Sequence, residues 1–420
     1  MKAKHKLLLL LLVTVQFSFA QTITLQQVQE KAKEQYPLTK QRDLIRKSKE
    51  LTIENLRKGF LPQLSLSGQA TYQSEVTTVK IPFPGVNIEP LSKDQYKLVA
   101  DVNQMIYDGG LLKQQTAVQH MNAEVEEQKI EVELYKLAER INQVYLSILF
   151  IDEQLKQTEL VKKDLETGLK KVEAQVNGGV AFKSNINLLK AELLKIDQRM
   201  IELQSTRTGL LDVLSLFTGE AYTAATQFEK PVVKTVVNDA SVSRPEINLF
   251  QKQQQLLGVQ NNLIKARNLP KTSFFFQGGY GRPGLNFLEN KFATYYVTGV
   301  RFNWAFGGLY TAKKERELIG LNQQIIAVQQ DVFLLNTNTQ LKQQQAEIDK
   351  INQLISKDNE IIELRVKVKE AANAQLENGV ITANDYLREV NAEDQARQNL
   401  LLHQLQLLQA QINYQTIKGK

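Results

Sequence analysis

Apolar residues fall at two different rhythms along this chain, and the switch between them happens twice. From Pro62 to Tyr72, Leu64, Leu66, Ala70 and Tyr72 alternate with Ser65, Ser67, Gln69 and Thr71. A period of two puts one set on each face of a strand, so the segment predicts a strand with one apolar and one polar side. A polar stretch with Pro82, Pro84, Gly85 and Pro90 follows. A second alternating run then sets Leu98, Ala100, Val102 and Ile106 against Val99, Asp101 and Asn103, until Asp108-Gly109-Gly110 stops it. From Leu111 to about Val176 the rhythm lengthens. Leu134, Leu137, Ile141, Val144, Ile148, Ile151 and Leu155 recur at spacings alternating between three and four, which is the heptad seam of a coiled coil. A helix of about 65 residues at ~1.5 Å each runs on the order of 100 Å, too long for a globule. Gly178-Gly179 breaks it, and a further helical stretch runs from Ser184 to about Phe217.

The whole succession then repeats. A less regular link holding Pro231 leads to Arg244-Pro245-Glu246, which opens a helix reaching about Asn268, much as Thr24 to about Arg57 reads helical in the first half. Leu269-Pro270 matches Leu61-Pro62, and Tyr280 falls where Tyr72 fell. A strand with Phe274 and Phe276 is followed by one in which Tyr296, Thr298, Val300, Phe302 and Trp304 alternate with Val297, Gly299, Arg301 and Asn303. Gly307-Gly308-Leu309 repeats Gly109-Gly110-Leu111, a second long helix runs to about Leu376, Asn378-Gly379 breaks it, and a last helix ends near Tyr414. The tract QVNGGVAFKSNINLLKAEL (175–193) lies over QLENGVITANDYLREVNAE (375–393), sharing Gln175/Gln375, Gly179/Gly379 and Val180/Val380. Both glycines suit the positive φ that ends a helix, and Ser184 and Asn384 are the expected N-caps of the helices that follow. An offset of roughly 200 residues exceeds the ~20 to 50 residue period of solenoids and reads as a duplicated half-protein.

The expected organisation is therefore a signal peptide over 1–20, a first repeat over 21–217, an irregular link over 218–243 and a second repeat over 244–420. Strands are expected at about 62–72 and 96–106 in the first repeat and about 271–280 and 294–304 in the second, with tip turns at 177–183 and 377–383. The signal rests on Lys2, Lys4 and Lys6, an apolar run from Leu7 to Val15, and small residues ending at Ala20, where cleavage is expected. That run is shorter than the ~20 residues of a spanning helix.

Charge and composition narrow the function. The formal charge of +7 falls to +4 when the three signal lysines are removed, and acids and bases are interspersed, so nucleic acid is not an expected partner. Cysteine is absent, which excludes disulfides and lipid attachment through an N-terminal cysteine and leans toward a bacterial periplasm or outer membrane. His120 and His403 sit in no metal-ligand spacing, the glycine pairs fit neither a P-loop nor a dinucleotide fingerprint, and Glu126-Glu127 reads as a solvated helix face. Neither catalysis, a cofactor nor a metal is expected.

Strands of about ten residues with one apolar face carry the pattern of a transmembrane β-barrel, whose strands need ~9 to 11. Tyr72, Tyr96, Tyr280, Tyr295, Tyr296 and Trp304 fall near strand ends, where a membrane-interface girdle would sit. Open edges are not tolerated in lipid, so four strands predict closure by other chains. The competing readings are soluble hairpins packed on helices, or a periplasmic coiled-coil adaptor or interaction protein without a membrane barrel. The last accounts for the heptads but not for four matched strands or the duplication.

The segments VNQMIYDGG (Val102 to Gly110) and VRFNWAFGG (Val300 to Gly308), the tetrad RPEI (Arg244 to Ile247) and the two turns give the chain a resemblance to the TolC-like outer membrane efflux protein family, over essentially all of the mature chain. The resemblance implies an α+β membrane protein of the bacterial outer membrane. It implies a homotrimer with four transmembrane strands per chain in one twelve-stranded barrel, continued by a long α-helical coiled-coil periplasmic tunnel. It implies an exit duct of a multi-component efflux or type I secretion system, fed by a periplasmic adaptor (membrane fusion) protein and an inner-membrane RND, ABC or other pump. The two turns become periplasmic tips, with Gly179, Val180, Ala181 and Gly379, Val380, Ile381 as adaptor-docking residues. The resemblance also places a periplasmic gate at Asp385, with Asn185 as its first-copy counterpart and Arg388 where some relatives carry a second pore acid. Asp385 is also a first-turn acid favoured by the helix dipole. Residues three apart share a helix face, so Arg388 could pair with Asp385 within or between chains.

Overall fold

The computed structural model describes residues 22–78, 90–232 and 242–419. The expected signal peptide, and Pro82, Pro84 and Gly85, lie outside the described residues. The elements are α1 (Leu25–Gln35), α2 (Leu38–Lys58), β1 (Gln63–Tyr72), β2 (Asp94–Tyr107), α3 (Leu111–Asn177), α4 (Lys183–Thr218), α5 (Pro245–Arg267), β3 (Lys271–Arg282), β4 (Ala293–Asn303), α6 (Gly307–Glu377) and α7 (Ala383–Lys418). The opening helical stretch is two helices rather than one. Pro37 offers no amide hydrogen and pushes the preceding residue out of the helical region, and Tyr36 sits at φ −64, ψ 126. Thr24 and Gln27 form a capping box at the start of α1.

The chain divides into two units, one made of Leu38–Glu133 and Arg244–Asn336, the other of the remaining residues. In the first unit the strands form one antiparallel sheet in sequence order, with β1 and β4 at its edges. The register sets Leu66 beside Ala100, Ala100 beside Gly278 and Gly278 beside Tyr296. The apolar alternants therefore share one face, where Leu64, Leu66, Tyr72, Leu98, Phe276, Tyr296 and Val300 are all exposed. The other face is polar: Gln277 donates to Asp101 at 2.6 Å, and the Arg301 guanidinium stands 4.8 Å from the centre of the Phe275 ring. A register shift between Met105 and Tyr107 marks the end of β2.

Both strand-to-helix exits press on the corner between α5 and β3. The Asp108 carboxylate accepts the amides of Gly110 and Leu112 at 2.8 and 2.6 Å, capping α3. Gly109 takes φ 74, and a Cβ there would lie 2.8 Å from Leu269 Cβ. At the second exit a Cβ on Gly308 would overlap the Asn268 side chain, and the Trp304 indole donates to the Asn268 carbonyl at 3.1 Å. Arg244 of the RPEI tetrad pairs with Glu246 and stacks over Phe333, while Gln128 donates to the Pro245 carbonyl.

In the second unit the heptad residues Leu134, Leu137, Ile141, Ile148 and Ile151 of α3 are buried. Tyr145, also fully buried, holds its hydroxyl 2.7 Å from the Ile23 carbonyl and 2.6 Å from that of Glu229. Burial pushes its phenol well above the usual tyrosine range. Arg207 pairs with Asp152 and donates to the carbonyls of Ala224 and Thr226 at 2.9 and 2.8 Å. These two side chains fasten the described part of the link to α3 and α4 by satisfying its main chain, which has almost no secondary structure of its own.

Candidate functional site

The helices α3 and α4, and again α6 and α7, meet in the two turns singled out by the sequence. The Val180 amide donates to Gln175 O at 2.9 Å and the Gly179 amide to Val176 O at 3.1 Å. In the second copy Val380 donates to Gln375 O at 2.8 Å and Gly379 to Leu376 O at 3.0 Å. This crossed pair of bonds is a Schellman motif, whose C′ residue must be left-handed. Gly179 and Gly379 supply it at φ 76 and φ 70, with nothing crowding either Cα. Val180 and Val380, the next residues, are 77% and 71% exposed, whereas Ala181 and Ile381 are half-buried.

The caps that follow differ from those expected. Helix α4 begins at Lys183 with Phe182 as its N-cap, and α7 begins at Ala383 with Thr382 as its N-cap. Ser184 and Asn384 are therefore the second residues of their helices. The sequence did contain the right signal, since Thr382 with an acid three residues on is a capping-box pattern. Thr382 Oγ1 accepts the Asp385 amide at 3.3 Å, and Asp385 Oδ2 accepts the Thr382 amide and hydroxyl at 3.1 and 2.7 Å. Phe182 has no such chemistry and makes no side-chain cap.

Asp385 is thus bound to its own helix end. The Thr382 hydroxyl first, its amide second, and more weakly the Arg388 charge hold the Asp385 carboxyl below the usual carboxylate range. Within the chain the Arg388 Nε lies 3.2 Å from Glu389 Oε1, and no ion pair joins Arg388 to Asp385 among the described residues. Asp385 already spends one carboxylate oxygen on its cap, leaving Arg388 the adjacent acid. Asn185, its counterpart, donates its amide to the Phe182 carbonyl at 3.0 Å.

Behind the turns the four helices share a core of Val161, Leu165, Val172, Leu189, Leu376, Ala383, Tyr386, Leu387 and Val390, among others. Tyr386 lies against Gly168, where a Cβ would stand 3.0 Å from its ring. Lys171 of α3 pairs with Glu377 of α6, and Gln175 donates to the Leu376 carbonyl. Lys369 of α6 reaches Asp164 of α3 at 2.8 Å and buried Glu393 of α7 at 2.6 Å, and Arg397 also meets Glu393. Burial works against the Lys369 charge, but the two carboxylates outweigh it and raise its pKa. The partners that join α3 to α6 could not be paired from sequence spacing, because they lie roughly 200 positions apart.

The aromatic residues expected at a membrane interface occupy both ends of the sheet. Tyr72 ends β1 opposite Asp94, while Tyr96 and Tyr280 each stack on Phe292 near the opposite ends of β2 and β3. Tyr296 stacks on Phe276 one step inward. Trp304 sits at the other end of the sheet, packed on Phe306 and tied to Asn268. Among the described residues no helix is long and apolar enough to cross a membrane and no cluster of His, Asp or Glu suits a metal ion.

Residues 32–208 match the family model described as outer membrane efflux protein. No curated protein matches the chain. Among solved structures, CusC superposes at a TM-score of 0.67 with 15% identity, covering 94% of this chain and 92% of that one. VceC of Vibrio cholerae gives 0.66, 13%, 94% and 96%, and the open state of MtrE of Neisseria gonorrhoeae gives 0.65, 14%, 94% and 89%. The chain thus resembles outer membrane efflux proteins in sequence over residues 32–208 and in fold over nearly its whole length.

Proposed function

We propose that three copies of this chain close one twelve-stranded barrel in the outer membrane, continued by a helical duct through which a periplasmic adaptor and an inner-membrane pump discharge substrate. The observation that carries this reading is the sheet: four strands with an exposed apolar face and hydrogen-bonding edges at β1 and β4. In hydrocarbon every backbone group must be satisfied, so such a sheet is complete only when β4 of one copy pairs with β1 of the next. A second feature supports identical partners. Leu318, Leu321, Ile325, Val328, Val332 and Leu335 of α6 recur at three and four and are all exposed, a seam that wants another helix.

In this reading the two turns are the periplasmic tips, with Gly179, Val180, Ala181, Gly379, Val380 and Ile381 at the adaptor contact and Asp385 near the constriction. Three ionised Asp385 carboxylates would favour cation entry. The adaptor-like alternative without a barrel leaves the exposed apolar face of the sheet unexplained. The test is direct: protein extracted from outer-membrane fractions should scatter light as a trimer and form conducting channels in planar bilayers. A monomer, or recovery in the soluble periplasm, would remove the barrel. Asp385→Asn should lower cation selectivity; unchanged selectivity would move the constriction elsewhere.

A further inference from the structure

The polar face of the sheet carries a charge imbalance that its own contacts do not remove. Its strand positions hold three cations, Lys97, Lys271 and Arg301, against one acid, Asp101. That acid is engaged by neutral Gln277, and no ion pair among the described residues reaches any of the three cations. The apolar face differs: Arg282, which the register sets beside Tyr96, is paired with Asp94.

Two aromatic rings lie on the same polar face, each across a glycine of the neighbouring strand. The register sets Phe275 opposite Gly299 and Tyr295 opposite Gly279. A Cβ on Gly299 would stand 3.2 Å from the Phe275 ring, and one on Gly279 would overlap that of Tyr295. Glycine lets each ring settle close to the backbone, and both stay half-buried rather than enclosed. Each ring has a cation beside it. The Arg301 guanidinium is stacked on Phe275, and the Lys97 stem leans over Gly281, the next residue on this face of β3 after the glycine that Tyr295 covers. A guanidinium steadied by a ring and paired with no carboxylate keeps its planar fork of donors for another acid group.

We infer that this face holds two stations for organic anions that carry an aromatic ring, Arg301 with Phe275 and Lys97 with Tyr295. At each, the cation takes the carboxylate or sulfonate and the aromatic side chain takes the flat apolar body. A wall of one sign concentrates ions of the other, and the rings offer a ligand's ring a contact that a small inorganic anion cannot use. The inference rests on the exit-duct reading, in which this face lines the lumen, and it names a class of cargo that the reading leaves open. It is compatible with a carboxylate ring at Asp385. Such a ring acts on small ions where a pore is narrow, whereas a wall charge at physiological salt is felt over only about 8 Å. The stations therefore hold what touches the wall and do not filter what passes in mid-lumen.

The experiment records single channels of the full chain in planar bilayers with 1-naphthalenesulfonate, 1-naphthylmethylammonium or methanesulfonate added to either bath in turn. Naphthalenesulfonate should interrupt the current at concentrations ~10-fold or more below those at which the ammonium or the ringless sulfonate does so. Arg301→Gln should weaken that effect by about tenfold. Arg301→Lys, which keeps the charge and loses the planar fork, should fall between that variant and the parent. Arg282→Gln, on the opposite face, should respond as the parent does. Equal action of the sulfonate and the ammonium, action of neither, or an Arg301→Gln channel that responds as the parent overturns the inference and leaves the exit duct standing. A parent that forms no channel defeats the exit-duct reading and the stations with it.

Discussion

The turns at Gly179 and Gly379 share a backbone and differ in their roots. Each is closed by the same crossed pair of main-chain bonds around a glycine of positive φ. Behind the second, Tyr386 and Leu387 are buried, Thr382 and Asp385 cap each other, and Lys369 reaches two neighbouring helices. Behind the first, the aligned residues are Ile186, half-buried, Asn187, exposed, and Phe182, which caps nothing. The same turn geometry thus stands on a buried, capped root in one case and on a half-buried, uncapped one in the other.

The largest test of this contrast is in the root. Tyr386→Ala removes a buried aromatic ring and should cost about 3–5 kcal/mol, whereas Ile186→Ala at the aligned, half-buried site should cost about 1–2. Amide hydrogen exchange over 383–400 and 183–200 reads both, and equal losses would erase the distinction. Next comes the shared geometry. Gly179→Val and Gly379→Val each force a β-branched residue to positive φ, at roughly 1–2 kcal/mol. Because the two φ values nearly agree, the two variants should fray their turns alike, read as amide exchange over 176–183 and 376–383; a large inequality would mean the backbones are not equivalent.

Caps give a smaller effect of opposite sign on the two sides. Thr382→Ala should destabilise the start of α7 by about 1 kcal/mol, and Phe182→Ser should stabilise the start of α4 by a similar amount. Both are measurable as exchange protection of the first helical turn. Smallest is the pH dependence. Asp385 has its folded pKa depressed below its ordinary 3.8, so the stability it lends is complete above that value and is lost as pH falls through the folded pKa. The start of α7 should therefore fray only in acid below about pH 4, and the start of α4, with Asn185 at that place, should show no matching transition.

Much of the plan was legible because its periods are unambiguous. Leu64, Leu66, Ala70 and Tyr72 alternate over a length that only a strand explains, and Leu134 to Leu155 step by three and four over a length that only a long helix explains. Finer features escaped where two local rules competed. The break at Pro37 was visible as a proline, but the helical pattern on either side of it ran on. The expected caps, Ser184 and Asn384, lie two residues beyond the observed ones because both are good capping residues in their own right, while Phe182 is not. The spacing that lets Arg388 reach Asp385 does not register that Asp385 is occupied by Thr382. The fastening of the link by Tyr145 and Arg207 was out of reach altogether, since both act on main-chain carbonyls that no side-chain pattern marks.

The backbone closure of the first turn has an evolutionary corollary. Apart from one glycine, no side chain between Asn177 and Lys183 takes part in any hydrogen bond that shapes it, so residues 180–182 are open to substitution at little expense in folding. A lineage could alter the surface of this turn by single mutations, each tolerated on its own, without passing through an unfolded intermediate sequence. The second turn has given up that liberty: changing Thr382 or Asp385 loosens the helix itself. Sequence variation among descendants of this chain should therefore accumulate at 180–182 and spare 382–385.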